Sequence, residues 1–197
     1  DEPRNLLEEM ERQGYRIDTY LNLDFSDVVF DARSKYFYLA ADKHPLTRAA
    51  GREYFPGAVE FAATFLKRRS KEGFFLMAEG SQIDWGGHSG DSHVVIDETL
   101  DFDEAVAKAL NFAKRDGETL LIITADHETG GMAINPGSQW GDLKTSFNHN
   151  GHTATMVPVF AYGPGAEQFD GIYENTDIYF KIKAALGRSA DQATAGP

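Results

Sequence analysis

The sequence predicts an α/β fold built on a largely parallel central sheet with helices on both faces. Three observations lead there. From Pro56 onward, short apolar runs of strand character alternate with helical patterns, and that alternation implies βαβ crossovers. Glycines punctuate the ends of the helical patterns. Finally, carboxylates and histidines collect where apolar runs stop, as they do at the carboxyl ends of strands in open α/β sheets.

Leu6, Leu7 and Met10 form one short helical face, and Gly14 can end it. Val28 to Phe30 is a short apolar run, and Tyr36 to Ala40 suits a strand. Regular alternation is weak before Tyr36. Pro56 opens a helix with Val59, Ala62, Ala63 and Leu66 on one side. Lys67, Arg68, Arg69 and Lys71 in its last turns suit the negative end of the helix dipole, and Gly73 stops it. Phe74 to Ala78 is expected to be a buried strand.

The next segment, EGSQIDWGGHSGD, is glycine-rich and mixes loop with a helical turn. Asp101 is expected to cap a helix, with Glu104 completing a capping box. Phe102, Ala105, Val106, Ala109, Leu110 and Ala113 share one face of that helix, and Gly117 closes it. Leu120 to Thr124 is the following strand. Val157 to Tyr162 is another, ended by Gly163-Pro164-Gly165. Asn175 or Thr176 starts a last helix reaching Gly187. Residues 1–187 are expected to form one α/β domain portion and residues 188–197 a flexible tail.

The 197 residues can bury a sizeable core in one domain. No apolar run is long enough to cross a bilayer. No leader is visible at Asp1, so any targeting segment is expected to be absent or already removed. The net charge of −12 argues against nucleic acid or an anionic membrane as partner. It does not exclude a phosphate substrate, because bound metal cations outweigh distant carboxylates. The chain has no cysteine, so any metal must be held by oxygen and imidazole nitrogen.

Three clusters carry that chemistry. In the first, Asp84 and His88 are four residues apart, so one helical turn brings both to one face. That is a workable zinc bite. Glu79, just after the apolar run, suits a harder ion such as magnesium. Solvated loop residues give the same pattern. The second cluster is Asp126-His127. Adjacent residues of an extended chain point to opposite sides, so the backbone must bend for both to reach one ion. A capped turn with a satisfied histidine is an equal reading. The third is Asn148-His149-Asn150-Gly151-His152-Thr153, where spacing does not choose between the two histidines. His44 and His93 have no ligand-like neighbours and read as structural. Ser81, Ser89 and Ser92 lie near the ligands, but none sits in a nucleophile elbow. Arg48 and Arg52 read as solubilising residues rather than a phosphate clamp.

Taken in order, EGSQIDWGGH at 79–88, TADHETGG at 124–131 and GHTATMVPVFAYGP at 151–164 resemble the carboxy-terminal half of alkaline phosphatases. The resemblance runs from about Leu6 to Gly187. It implies part of a three-layer α/β/α sandwich and hydrolysis of phosphate monoesters through a phosphoserine, with two zinc ions and one magnesium ion. By motif, Asp84, His88 and His152 resemble the ligands of the first zinc, Asp126 and His127 two ligands of the second, and Glu79 a magnesium ligand. The HT-x4-VP context selects His152 over His149. Trp85 stands at a position that varies within the family.

The family's serine nucleophile, its shared aspartate, a further magnesium ligand and its phosphate-clamping arginine lie upstream of everything matched here. The resemblance therefore implies a fragment with the first zinc site complete in protein ligands and the other two partial. The fragment alone is expected to bind zinc without meaningful turnover. Its expected partners are a phosphate monoester, the missing amino-terminal half and, by self-association through an exposed sheet edge, a second copy as a homodimer. A periplasmic or extracellular location follows from the resemblance alone. Two rival readings are a phosphodiesterase or sulfatase of the same superfamily, and a non-catalytic metal- or phosphate-binding module.

Overall fold

The computed structural model describes residues 4–29, 31 and 33–187. They fall into two compact units, the described residues within 1–86 and 91–108, and those within 87–90 and 109–197. The expected tail at 188–197 lies outside the described residues, as does Phe30.

The first unit begins with helix α1 (Leu6–Arg12), whose start is capped by the Asn5 side chain accepting from the amides of Leu7 and Glu8. Strand β1 (Tyr15–Thr19) pairs in parallel with β2 (Lys35–Leu39), Tyr15 facing Lys35 and Thr19 facing Leu39. The sequence reading gives no strand at β1, where Tyr15, Ile17 and Thr19 alternate with Arg16 and Asp18 over only five residues. Asp18 is buried, yet the Tyr36 hydroxyl donates to it at 2.8 Å and the Arg16 Nε lies 2.8 Å away. The Tyr36 hydrogen bond, above all, holds the Asp18 carboxyl below the usual carboxylate range. Val28 and Val29 form no strand, since a 3-10 turn at Phe25–Asp27, capped by Asp24, precedes them.

Helix α2 (Phe55–Arg69) follows, with Pro56 in its first turn and Val59 and Ala63 buried. The run Phe74 to Ala78, expected as a buried strand, is paired with no strand among the described residues. It contains no β-branched residue. It also keeps Phe75 and Met77 59% and 77% exposed. Helix α3 (Gln82–Ser89) supplies the expected helical turn, tied down where the Gln82 amide donates to the carbonyls of Pro45 and Leu46.

Helix α4 (Ser92–Asp116) starts nine residues before the expected cap at Asp101. The cap is Asp91, whose carboxylate accepts from the amides of His93 and Val94. Asp101 lies on the buried face instead, in register with Glu98, Ala105, Phe112 and Ala113. An aspartate can sit there because Arg52 pairs with it at 2.5 Å and with Glu98 at 2.7 Å. Arg48 adds an ion pair to Glu104 at 2.7 Å, and its backbone amide donates to Glu98. The two arginines are therefore partners of a buried acidic face, not scattered solubilising charges.

The second unit carries β3 (Leu121–Thr124), β4 (Glu128–Thr129), β5 (Ala133–Ile134), β6 (Thr145–Ser146), β7 (His152–Thr153), β8 (Val159–Tyr162) and helix α5 (Asp177–Ala185). β3 pairs with β8, β4 with β7 and β5 with β6, all antiparallel. The α/β class holds, but among the described residues parallel pairing is confined to β1 and β2. The reason is the connection. The chain leaves β3 through the short β4–β7 and β5–β6 ladders and returns reversed, whereas a parallel return needs a crossover. No helix among the described residues is long and apolar enough to cross a membrane.

The Arg52 cluster makes a stability prediction. The Arg52 side chain is 8% exposed and that of its partner Glu98 is 1% exposed, so Arg52→Met strands carboxylates in the interior. We expect a loss of about 3–5 kcal/mol in urea unfolding. Arg48→Met, which breaks the more exposed pair with Glu104, is expected to cost clearly less. Equal costs for the two variants would contradict this reading.

Candidate metal centre

Helix α3 places Asp84 and His88 one turn apart, and no residue between them disturbs the helix. Two glycines precede His88, and a side chain at the first, Gly86, would meet the Val95 backbone nitrogen at 2.8 Å. A side chain at Gly87 would meet the carbonyl oxygen of Thr129 at 2.8 Å and the Thr129 Cβ at 2.9 Å. A side chain at Gly130 would meet the Gly87 carbonyl oxygen at 2.7 Å. Bare backbone on both sides lets α3 approach the β4 turn, which carries the second histidine cluster. The residues after Gly130 then fold back, Asn148 and Gly130 exchanging an amide-to-carbonyl bond at 2.9 Å and Gly130 donating to Gly151 at 2.8 Å.

That folding brings His152 to His88. Their Nε2 atoms lie 3.1 Å apart. The His88 Nδ1 lies 2.6 Å from the Asn150 carbonyl oxygen. A carbonyl only accepts, so Nδ1 carries the hydrogen and the Nε2 of the neutral ring presents a lone pair. The Asp84 carboxylate completes the group, and the ligand atoms of Asp84, His88 and His152 all lie within 4.8 Å of one another. This closeness is set by two local relations, the turn of α3 and the folding of the second unit. Two nitrogens 3.1 Å apart subtend roughly 100° at an ion about 2.0–2.1 Å from each. Two imidazoles and one carboxylate with an open position is a donor set suited to catalytic zinc.

His149 does not join this group. Its Nδ1 accepts from the Gly151 amide at 2.9 Å, so the ring serves the turn. Asp126 and His127 form a separate pair, the Asp126 carboxylate 3.2 Å from His127 Nε2. The backbone bends at Asp126. The carboxylate is 86% exposed and therefore accessible to an ion. The His127 ring stacks on His152 at 3.5 Å between centroids, so the two histidine clusters adjoin. Glu79 joins no such group among the described residues. His44 packs edge-on against Trp85 at 5.1 Å, and the His93 backbone amide donates to the Asp91 cap.

Four further residues shape the site and were assigned no role from sequence. Asn150 orients His88 through its carbonyl. Thr129 lies 3.1 Å from His127 Nδ1 through its hydroxyl. The Glu128 carboxylate accepts from the Gly131 amide at 2.8 Å and from the Thr153 hydroxyl. Glu128 and Thr129 lie inside the TADHETGG run, but their partners are reached only through the β4–β7 pairing, for which two-residue strands leave no periodic signal.

Comparison with known proteins supports one family. The alkaline phosphatase family model matches residues 3–146 and 142–188. The Escherichia coli alkaline phosphatase is 35% identical over 139 residues, 62% of this chain and 30% of that protein. Alkaline phosphatase 3 of Bacillus subtilis is 28% identical over 256 residues, 93% of this chain and 54% of that protein. Among solved structures, the alkaline phosphatase from the Antarctic bacterium TAB5 is 41% identical, with a TM-score of 0.84 over 93% of this chain and 55% of its own. A variant of that enzyme with magnesium bound in its M3 site superposes with a TM-score of 0.83. The chain thus spans about half the length, or less, of these relatives.

The close approach at Gly87 makes a prediction. Gly87→Ala forces the new methyl against Thr129, and overpacking of this kind costs about 1–3 kcal/mol. Chemical denaturation of the metal-free chain is expected to show that loss. A variant as stable as the parent would mean α3 has room to move.

Proposed function

Because this chain belongs to the alkaline phosphatase family, we propose that it is the metal-holding carboxy-terminal half of a phosphate monoester hydrolase. Asp84, His88 and His152 hold one zinc. Asp126 and His127 contribute to a second, and Glu79 contributes to a magnesium ion. The observation that carries this reading is the convergence of two imidazole nitrogens and a carboxylate within 4.8 Å.

Each residue has a definable task. The Asn150 carbonyl keeps His88 in the tautomer whose Nε2 can donate to a cation. Asp84 supplies the negative charge that neutral imidazoles lack. The exposed Asp126 carboxylate beside His127 offers oxygen and nitrogen donors together. Bound zinc lowers the pKa of water from about 15.7 to roughly 7 and draws charge from a phosphoryl oxygen. All of these ligands bind in their deprotonated forms, so acid is expected to release the metals. The serine nucleophile and the phosphate clamp belong, in this reading, to an upstream half, and the intact protein is exported to the periplasm or beyond. Exposed apolar residues such as Phe75, Met77 and Phe160 are consistent with cover from that half or from a second copy.

Two measurements test the proposal. A competition titration is expected to show zinc binding by the chain. Loss of His88 or His152 to alanine should cost more than the about 10–100-fold that follows removal of an outer partner. Undiminished binding by both variants would refute the ligand assignment. Hydrolysis of p-nitrophenyl phosphate by the chain alone is expected to stay at background and to appear when the upstream half is supplied in trans. Robust metal-dependent turnover by the chain alone would overturn the division of labour.

A further inference from the structure

We propose that Glu128 is a positioning residue that sets the metal-binding imidazole of His152 from the opposite face of its strand. The proposal rests on the zinc reading above and adds a residue that is not among the ligands. β4 and β7 contain two residues each, Glu128 facing Thr153 and Thr129 facing His152. Residues paired across a ladder share one face, and successive residues alternate. Glu128 and Thr153 therefore occupy one face, and Thr129 and His152 the other.

A ladder this short has few backbone hydrogen bonds to hold its register. A slip of one residue would turn His152 to the wrong side, away from the Nε2 of His88 at 3.1 Å. The Glu128 carboxylate counters such a slip at both of its oxygens. Oε1 accepts from the Gly131 amide at 2.8 Å, in the turn that follows β4. Oε2 accepts from the Thr153 hydroxyl on β7. One side chain thus ties β7 to the β4 turn at a single register. On the other face His127 stacks on His152 and its Nδ1 lies 3.1 Å from the Thr129 hydroxyl, so that register also places the two histidines together. Glu128 acts on the metal only through the strand it holds.

The test uses the full chain and Co2+ as the probe, read by visible absorption and by competition for affinity. Glu128→Ala is expected to weaken Co2+ binding about 10–100-fold and to lower the visible absorption at saturation, because the His152 imidazole is aimed less accurately at the ion. Glu128→Gln keeps an acceptor and a polar contact, and is expected to recover most of both signals. Thr153→Val, which removes only the hydroxyl, should shift affinity in the same direction as Glu128→Ala, and it decides the matter if Glu128→Ala does not fold. A role limited to stability would lower the unfolding midpoint and leave the saturated Co2+ spectrum unchanged. Wild-type affinity and spectrum in the folded variants would overturn the proposal. His152→Ala separates the two claims: if it binds Co2+ like the parent, the ligand assignment fails, whereas its loss of binding beside an unaffected Glu128→Ala sinks the role of Glu128 alone.

Discussion

The approach of two ring nitrogens, His88 Nε2 and His152 Nε2, to 3.1 Å is the constraint around which the second unit is organised. With the His88 Nδ1 hydrogen committed to the Asn150 carbonyl, His88 faces its neighbour with a lone pair. Such a pair is stable when a hydrogen on the other ring, or a cation, lies between the two nitrogens. The side-glycine packing of α3 on Thr129, the return of the chain through Gly151 and the β4–β7 ladder all keep the rings at this separation. The carboxylate of Asp84, one turn earlier on α3, adds an oxygen donor within 4.8 Å of both rings' ligand atoms.

The first unit solves a different electrostatic problem. Helix α4 buries Glu98 and Asp101 on the face that also carries Ala105, Phe112 and Ala113. Isolated carboxylates there would be costly, and Arg52 answers both at once. The same logic appears on a smaller scale at Asp18, held by Tyr36 and Arg16. Acidic residues account for much of the net charge, yet several are structural and interior.

What sequence could reveal was set by distance along the chain. The i, i+4 pair Asp84 and His88 is a local relation, and α3 delivers it directly. Helices α1, α2 and α5 and strands β2, β3 and β8 likewise follow from local periodicity and glycine stops. The start of α4 is hidden in the sequence because Asp101 and Glu104 imitate a capping box, while the real cap at Asp91 sits among glycines and serines that suggest loop. Asp101 looks like a surface cap until Arg52, far away in sequence, is brought beside it. The antiparallel pairing of β3 with β8 is not legible for a similar reason, since nothing local announces that the segment between them pairs with itself. His152 was singled out over His149 by motif context. The His149 ring accepts from the Gly151 amide, a contact that no motif announces.

The family relationship and the geometry meet at a single atom that ought to be observable. X-ray diffraction from zinc-soaked crystals of the chain, collected across the zinc absorption edge, measures it directly. The account predicts an anomalous peak about 2.0–2.2 Å from the Asp84 carboxylate and from both Nε2 atoms of His88 and His152. A zinc ion held elsewhere, with those three side chains undisturbed and unligated, would contradict it.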